Sequence, residues 1–597
     1  MTDRPFQRAL GYFPQVKRQW LWGMAAIVPG AGLPMVVFAI VAKVIGGVDR
    51  GVMEFSEAVN WCLLAGVLVI ASSFSKYAMR LHITGASRDF ERLYRQDLFA
   101  HLMSLSPHDL AGVRTGDIMS RSVSDIEAVR MFLGPGIMYN AQALVVVPAA
   151  LVAMAVTDPV LMLAMLVPFV GLAMVIKAAS RPTQRWSQRT QESLAGVSTV
   201  AQESLSGIRV VKAFAAEPLT ANGFRKMGRD LLQANLNLAT LRGVTSAGVT
   251  AVKELGVLVI LAVGGWHVVS GDLSKDELFF FLMLLTYALW PLIAIGWMLG
   301  MYHRAGAAAR RLEELFALQP SVADTDADQA PVEPPVGPSG KPPVEAPVEV
   351  KGQLEVSHLS YSWDGPLVLD DVSFTVPAGT TLGITGRTGC GKSTLVQLMA
   401  RLVDPPPGTV LLDGRDIREL PLKQLRATMG VVPQDTFLFS ETIRENVAFA
   451  GEHIGEEQVL AATALAQVHD DILGFPNGYD EVLGERGVTL SGGQRQRTAI
   501  ARTLAASTPV ILLDDCLSAV DSVTEQAILR SLEQTLTGRT SVIVSHRVAA
   551  LALADQVLVL DEGRVVESGT HDELVALGGL YAEIEKRQRI EAEIEAL

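Results

Sequence analysis

Six stretches of the chain are too long and too apolar for the interior of an ordinary soluble domain: residues 19–45, 58–80, 136–157, 159–178, 246–270 and 277–301. Each is close to the ~20 residues an α-helix needs to cross the hydrocarbon core of a bilayer. With no water there to satisfy backbone groups, each stretch is expected to be a helix. The 49% hydrophobic content of the 597 residues fits a chain that is half membrane domain.

The connections fix an orientation. Arg88, Arg92, Arg95, Arg114, Arg121 and Arg130 lie between the second and third stretches, and Arg181, Arg185, Arg189, Arg209, Lys212 and Arg225 between the fourth and fifth. The other connections, GGVDRGVMEFSE, TDP and SGDLSKDE, are short and poor in Lys and Arg. The positive-inside rule therefore places the two basic connections and both termini in the cytosol. Within the basic connections, DFERLYRQDLFAHLMSL and STVAQESLSGIRVVKAFAAE carry apolar residues at intervals of three and four, so the helices are expected to continue beyond the membrane. The first 18 residues are basic and amphipathic and read as a helix on the inner membrane face; residues 19–318 form the membrane domain.

A net charge of −13 argues against nucleic acid as a partner. The three cysteines, Cys62, Cys390 and Cys516, have no zinc or disulfide spacing. Residues 319–350 are rich in proline, valine and glutamate, cannot build a core, and read as an extended spacer.

From residue 351 to 582 the pattern becomes α/β, followed by a helical tail at 583–597. GITGRTGCGKSTLVQLMARL gives a strand, a glycine-rich turn and a helix, and fits the P-loop at Gly386, Gly391, Lys392 and Ser393. Gly386, Gly389 and Gly391 let backbone N–H groups converge on phosphates at a helix N-terminus; Cys390 and Thr394 complete the nucleotide-binding segment. Lys392 is expected to neutralise the β- and γ-phosphates of ATP, and Ser393 to ligate Mg²⁺. At the end of the apolar run VILLDD, Asp514 is placed to hold that Mg²⁺ through water. Cys390 reads as a small residue between two glycines, and Cys516 as a small buried one.

Together with LSGGQRQR at 490–497, these motifs resemble the ATP-binding cassette family, in particular exporters that fuse a six-span helical membrane domain to one α/β P-loop cassette. The resemblance covers nearly the whole chain. It implies that Tyr361 in LSYSWDG stacks on adenine and that Gln434 in VVPQD touches Mg²⁺ and senses the membrane domain. It further implies that Asp521 in SAVD crosses between cassettes and that His546 in VSHR contacts the γ-phosphate. GERG at 484–487 matches an exporter-specific segment, while TGDIMSRSVSDIEAVR and SGIRVVKAF resemble connections that carry coupling helices. Ser491, Gly492, Gly493 and Gln494 are implied to cover the ATP of a second cassette, so a dimer is implied.

One position departs from the family. The residue after Asp514 is Asp515, where active cassettes carry Glu to polarise the attacking water. The carboxylate is shorter by about 1.5 Å, whereas a general base must come within about 2.6–3.2 Å of its target. An error of ~1 Å can cost about 100-fold. The resemblance then points to the degenerate-site subunit of a bacterial heterodimeric multidrug exporter, a multi-pass protein of the inner membrane. In that arrangement its intact LSGGQ completes the site of a different half-transporter. Amphipathic small molecules are the expected substrate. The alternatives are a homodimeric lipid or peptide exporter with Asp515 as a working base, and an ATP-gated channel or regulator.

Overall fold

The computed structural model describes residues 6–324, 350–363, 365–451, 453–484, 490–518, 520 and 522–595. The chain divides into two compact units, Met1–Leu102 with Val113–Leu318, and Met103–Gly112 with Gln319–Leu597.

The first unit contains six helices long and apolar enough to cross a membrane: α1 (Phe13–Asp49), α2 (Phe55–Ser104), α4 (Thr115–Thr157), α5 (Pro159–Ser206), α7 (Glu217–Ser270) and α8 (Lys275–Phe316). Two short helices interrupt the basic connections, α3 (Pro107–Ala111) and α6 (Ile208–Ala213). The 50 residues of α2 reach about 75 Å at ~1.5 Å per residue, more than twice the hydrocarbon thickness, so the expected extension beyond the bilayer is present. TGDIMS forms the first turns of α4, and α3 lies just before it. At the N-terminus, Gln7–Gly11 and Phe13–Ala25 are helical, so the boundary expected at residue 18 falls inside a helix.

Short-range chemistry sets the tight turns between the spans. Asp158 caps α5 by accepting the Val160 and Leu161 N–H groups at 2.9 and 3.0 Å, and pairs with His267 Nδ1 at 2.5 Å. Ser274 and Glu277 form a capping box at the start of α8. Inside the bundle, Ala31, Ala150, Met154, Leu161, Met165, Ile260, Phe281, Leu285 and Ala288 pack together. Lipid tails are as apolar as these side chains, so close van der Waals fit around small residues carries the association. A β-carbon on Gly256 would lie 3.1 Å from Leu285.

Near the basic ends, Arg130 (4% exposed) meets Glu91 (8% exposed), which also receives Arg88 and Arg95 at 2.9 Å. Removing one partner of a buried pair leaves an uncompensated charge.

The second unit holds two sheets. β1 (Leu354–Ser362), β2 (Leu367–Val376), β4 (Val410–Leu412) and β5 (Arg415–Asp416) form an antiparallel sheet in the order β2-β1-β4-β5. The larger sheet has the order β10-β9-β3-β8-β7-β6, from β3 (Thr381–Gly386), β6 (Met429–Val432), β7 (Val510–Asp514), β8 (Thr540–Val544), β9 (Gln556–Asp561) and β10 (Arg564–Gly569). It is parallel from β9 to β6. VILLD and TSVIV are buried at every position, as strands covered on both faces must be. The helices that matter below are α9 (Lys392–Met399), α10 (Gly492–Ala505), α11 (Ser522–Leu536) and α12 (Leu580–Glu595). α12 runs across the tail boundary expected at residue 582, and buried Tyr581 makes it part of the domain.

Residues 319–324, the start of the expected spacer, are packed. Val322 is 6% exposed, and Ser321 bonds Ser106 and Asp109 around α3. Buried Arg401 donates to Ala323 O at 3.0 Å, and Asp324 accepts the Leu422 N–H at 2.7 Å. Residues 325–349 of the spacer lie outside the described residues.

Glu91→Gln is expected to destabilise the solubilised chain by about 3 kcal/mol. Arg88→Ala, at a residue whose side chain is 61% exposed, should cost under about 1 kcal/mol. Comparing the thermal midpoints of both variants with wild type checks the contrast.

Candidate nucleotide site

Four neighbouring parallel strands end on the same side, and each delivers one part of the site. The P-loop follows β3, His546 follows β8, Asp514 ends β7 with Asp515 next, and Gln434 follows β6. Register makes this a constraint, because Asp514 sits opposite Val544 on β8, and Val544 opposite Ile384 on β3. Ligand crevices in open α/β sheets form at such carboxyl ends. A cleft of about 190 Å³ there is lined by Lys392, Ser393, Gln434, Asp514, Asp515 and His546, together with Gly389, Gly391 and Thr394.

The glycines of the loop are required by geometry. Gly386 (φ +145°) would place a β-carbon 2.0 Å from the Leu560 carbonyl oxygen, and Gly391 (φ +102°) would place one 2.8 Å from the Val368 carbonyl oxygen. Lys392 is 7% exposed and donates to the Gly386 and Arg387 carbonyls at 2.9 Å each. Cys390 is buried inside the loop, with its sulfur 3.7 Å from the Lys392 ammonium. Burial pushes the Cys516 thiol up to about 12, which leaves it unreactive.

Asp514 is 5% exposed, and Ser393, the other expected metal ligand from the P-loop, lines the same cleft. Burial, then the adjacent Asp515 carboxylate, push the Asp514 pKa above the usual carboxylate range against the Ser393, Lys392 and His546 interactions. A buried carboxylate, a hydroxyl and the Gln434 amide are hard oxygen donors of the kind Mg²⁺ takes beside phosphate oxygens and water, so these residues fit the ion. Burial and the Lys392 charge lower the His546 pKa, despite the two aspartates, and favour the neutral imidazole. Asp515 has φ +45° and donates its N–H to Val544 O at 2.9 Å. Asp enters this left-handed region more readily than most residues.

The remaining expected residues fall elsewhere. Ser491 caps α10 in a box with Gln494, and Gln494 also donates to Asp471 at 3.2 Å. Ser491, Gly492, Gly493 and Gln494 do not line the Lys392 cleft. Tyr361 sits at the end of β1 with its ring 5.2 Å from that of Trp363. Asp521 and Glu485–Gly487 lie outside the described residues.

Two contributors escaped the sequence reading. Trp363 donates its indole N–H to Thr394 at 3.4 Å and packs at a tilt against His108, with centroids 4.9 Å apart. The aromatic pair in YSW was the available signal. Arg547, beside His546, donates to Val520 O at 3.2 Å and pairs with Glu525. Nothing in VSHR signals that reach.

Strand ends, P-loop and buried acid define a P-loop nucleotide-binding domain joined in one chain to six membrane helices. Residues 20–292 match the family model for the ABC transporter transmembrane region, and residues 369–518 the model for the ABC transporter domain. The chain is 32% identical over 598 residues to the multidrug resistance-like ATP-binding protein MdlA of Escherichia coli (strain K12), covering 99% of this chain and 98% of the relative. It is 32% identical over 527 residues to the probable multidrug resistance ABC transporter ATP-binding/permease protein YheI of Bacillus subtilis (strain 168), covering 88% of this chain and 87% of that one. The structure of a bacterial Atm1-family ABC exporter with ATP bound superposes with a TM-score of 0.75 at 25% identity, covering 98% of this chain and 100% of the other. The protein belongs to the ABC transporter family, in the exporter arrangement of fused membrane and nucleotide-binding domains.

Gly386→Ala is expected to cost roughly 1–3 kcal/mol from overpacking and to remove ATP binding, because the loop must move to clear the Leu560 carbonyl. Nucleotide titration alongside thermal unfolding of the full chain checks both effects.

Proposed function

We propose that this protein exports amphipathic or hydrophobic compounds from the cytosol, as one half of a heterodimer in a bacterial inner membrane, with both termini and the cassette cytosolic. The observation that carries the asymmetric part is Asp515, in a cleft whose other parts are assembled. Lys392 and the glycine loop would bind the triphosphate; Ser393, Asp514 and Gln434 would hold Mg²⁺, which neutralises charge on the transferring phosphoryl group. His546, favouring the neutral imidazole, would donate a hydrogen bond to the γ-phosphate. Asp515 would have to orient the attacking water from a carboxylate one methylene shorter than Glu, which makes turnover in this site slow. Tyr361 is read as the adenine platform, and Asp521 as a contact to the second cassette.

Several features support pairing. ABC half-transporters dimerize, and the signature residues 491–494 stand apart from the cleft they resemble a cover for. In α6 no residue is buried, with Val210 62% exposed and, just after it, Phe214 80% exposed. These apolar side chains belong to a basic connection read as cytosolic, so a protein partner is a better cover than lipid. The names of MdlA and YheI favour a multidrug substrate class. In α8, Phe281 is buried in the bundle and Tyr287 donates to Ala31 O at 3.0 Å, while Trp290 and Trp297 are exposed and are candidates for substrate contact.

The test is ATP turnover of the purified chain, alone and with its partner half-transporter. The chain alone should be nearly silent, Asp515→Glu should raise turnover roughly 10- to 100-fold, and removing the partner's base should silence the pair. Vigorous turnover of the chain alone, abolished by Asp515→Ala, would instead make Asp515 a working base in a symmetric homodimer.

A further inference from the structure

The backbone that carries His546 is held from two sides outside the cleft. From α12, the Gln588 side-chain amide spans the residue, its NH₂ donating to the His546 carbonyl and its oxygen accepting the Val548 N–H at 2.9 Å. Arg547 reaches the other way, to Val520 O at 3.2 Å, Ser518 O at 3.4 Å and the carboxylate of Glu525 on α11. The segment 546–548 is therefore fixed while the imidazole faces the cleft.

Gln588 is delivered by a docked helix. The chain enters α12 at Gly579, where a β-carbon would lie 2.1 Å from Glu567 Oε1, and the Glu567 carboxylate accepts the Leu580 and Tyr581 N–H groups. Tyr581 is 0% exposed, packs with Val548, Leu551 and Leu574, and hydrogen-bonds His571 Nδ1 at 2.8 Å. Ile584 packs on the same cluster. Tyr581, Ile584 and Gln588 are three and four residues apart, so they share one helix face. Anchoring the first two aims the third at the His546 loop. A primary amide suits the place because it offers donor and acceptor together.

We propose that Gln588 is a positioning residue for His546, and that through it the C-terminal helix sets how strongly the cleft distinguishes ATP from ADP. This rests on the reading of His546 as the γ-phosphate contact. Loss of the clasp lets the His546 peptide shift, and the imidazole no longer meets the terminal phosphate squarely.

The experiment measures Mg²⁺-dependent binding of AMP-PNP and of ADP to the full-length chain in lipid nanodiscs, and needs no turnover. The variants are Gln588→Met, Gln588→Glu, His546→Ala, and each Gln588 change combined with His546→Ala. Gln588→Met keeps the chain length and removes both hydrogen bonds; Gln588→Glu keeps only the acceptor. The ratio of the AMP-PNP to the ADP dissociation constant should rise about tenfold in His546→Ala and in Gln588→Met, the size expected for one lost charge-assisted hydrogen bond. Gln588→Glu should show a clear part of that rise. Combined with His546→Ala, neither change should raise the ratio further, because coupled residues are not additive. Equal weakening of both nucleotides, no change in the ratio, or a full further rise without His546 would each overturn the proposal. If the methionine variant does not fold, the glutamate variant and its double carry the same comparison. An unchanged ratio in His546→Ala itself would bring down the reading of the site, and this inference with it.

Discussion

The site depends on the parallel pairing of β3, β8 and β7. Because Ile384, Val544 and Asp514 share one level of the sheet, the P-loop, the histidine loop and the acidic pair all emerge within reach of one another. β7 and β8 are buried along their whole length, so a slipped register would drag apolar side chains out of place along with the acids. The same burial raises the Asp514 pKa, and Ser393 and Lys392 counter it. Function and packing are thus set by one sheet, and neither can be changed alone.

The membrane half obeys a different solvent. Its apolar helices do not need water-driven collapse to pack, and they use small residues such as Ala31, Ala150 and Gly256 for close approach. Hydrogen bonds such as Tyr287 to Ala31 O occur within the spans, but the buried ion pairs lie near the ends of the apolar stretches. Asp158 serves as both cap and ion-pair partner at one end, while Glu91 gathers three arginines at the other. Such pairs are costly to break and hold helix extensions that no bilayer supports.

Much of this was legible in the sequence. Hydropathy located the six spans, because that signal comes from the solvent each segment meets. The P-loop and the acidic strand end were legible because phosphate binding demands glycine and lysine at fixed spacing. Helix boundaries were less so: nothing in the residues around 18 or 582 shows that a helix runs on through them. Trp363, Arg547 and Gln588 were missed for a different reason. The partners Thr394, Glu525 and His546 lie 31, 22 and 42 residues away along the chain, and although YSW marks an aromatic pair, no local pattern encodes which residues it meets.

The folded cassette is discontinuous in sequence. Residues 103–112 belong to its compact unit although the membrane helices carry them, and residues 319–324, the first of the expected spacer, close over them. During synthesis, α3 leaves the ribosome long before Ser321 or Trp363 exists to receive it. The membrane helices must therefore insert with that loop still waiting, and the cassette finishes folding around a piece of chain made much earlier. A soluble fragment begun at residue 351 would lack both pieces, including the Ala323 carbonyl that receives buried Arg401.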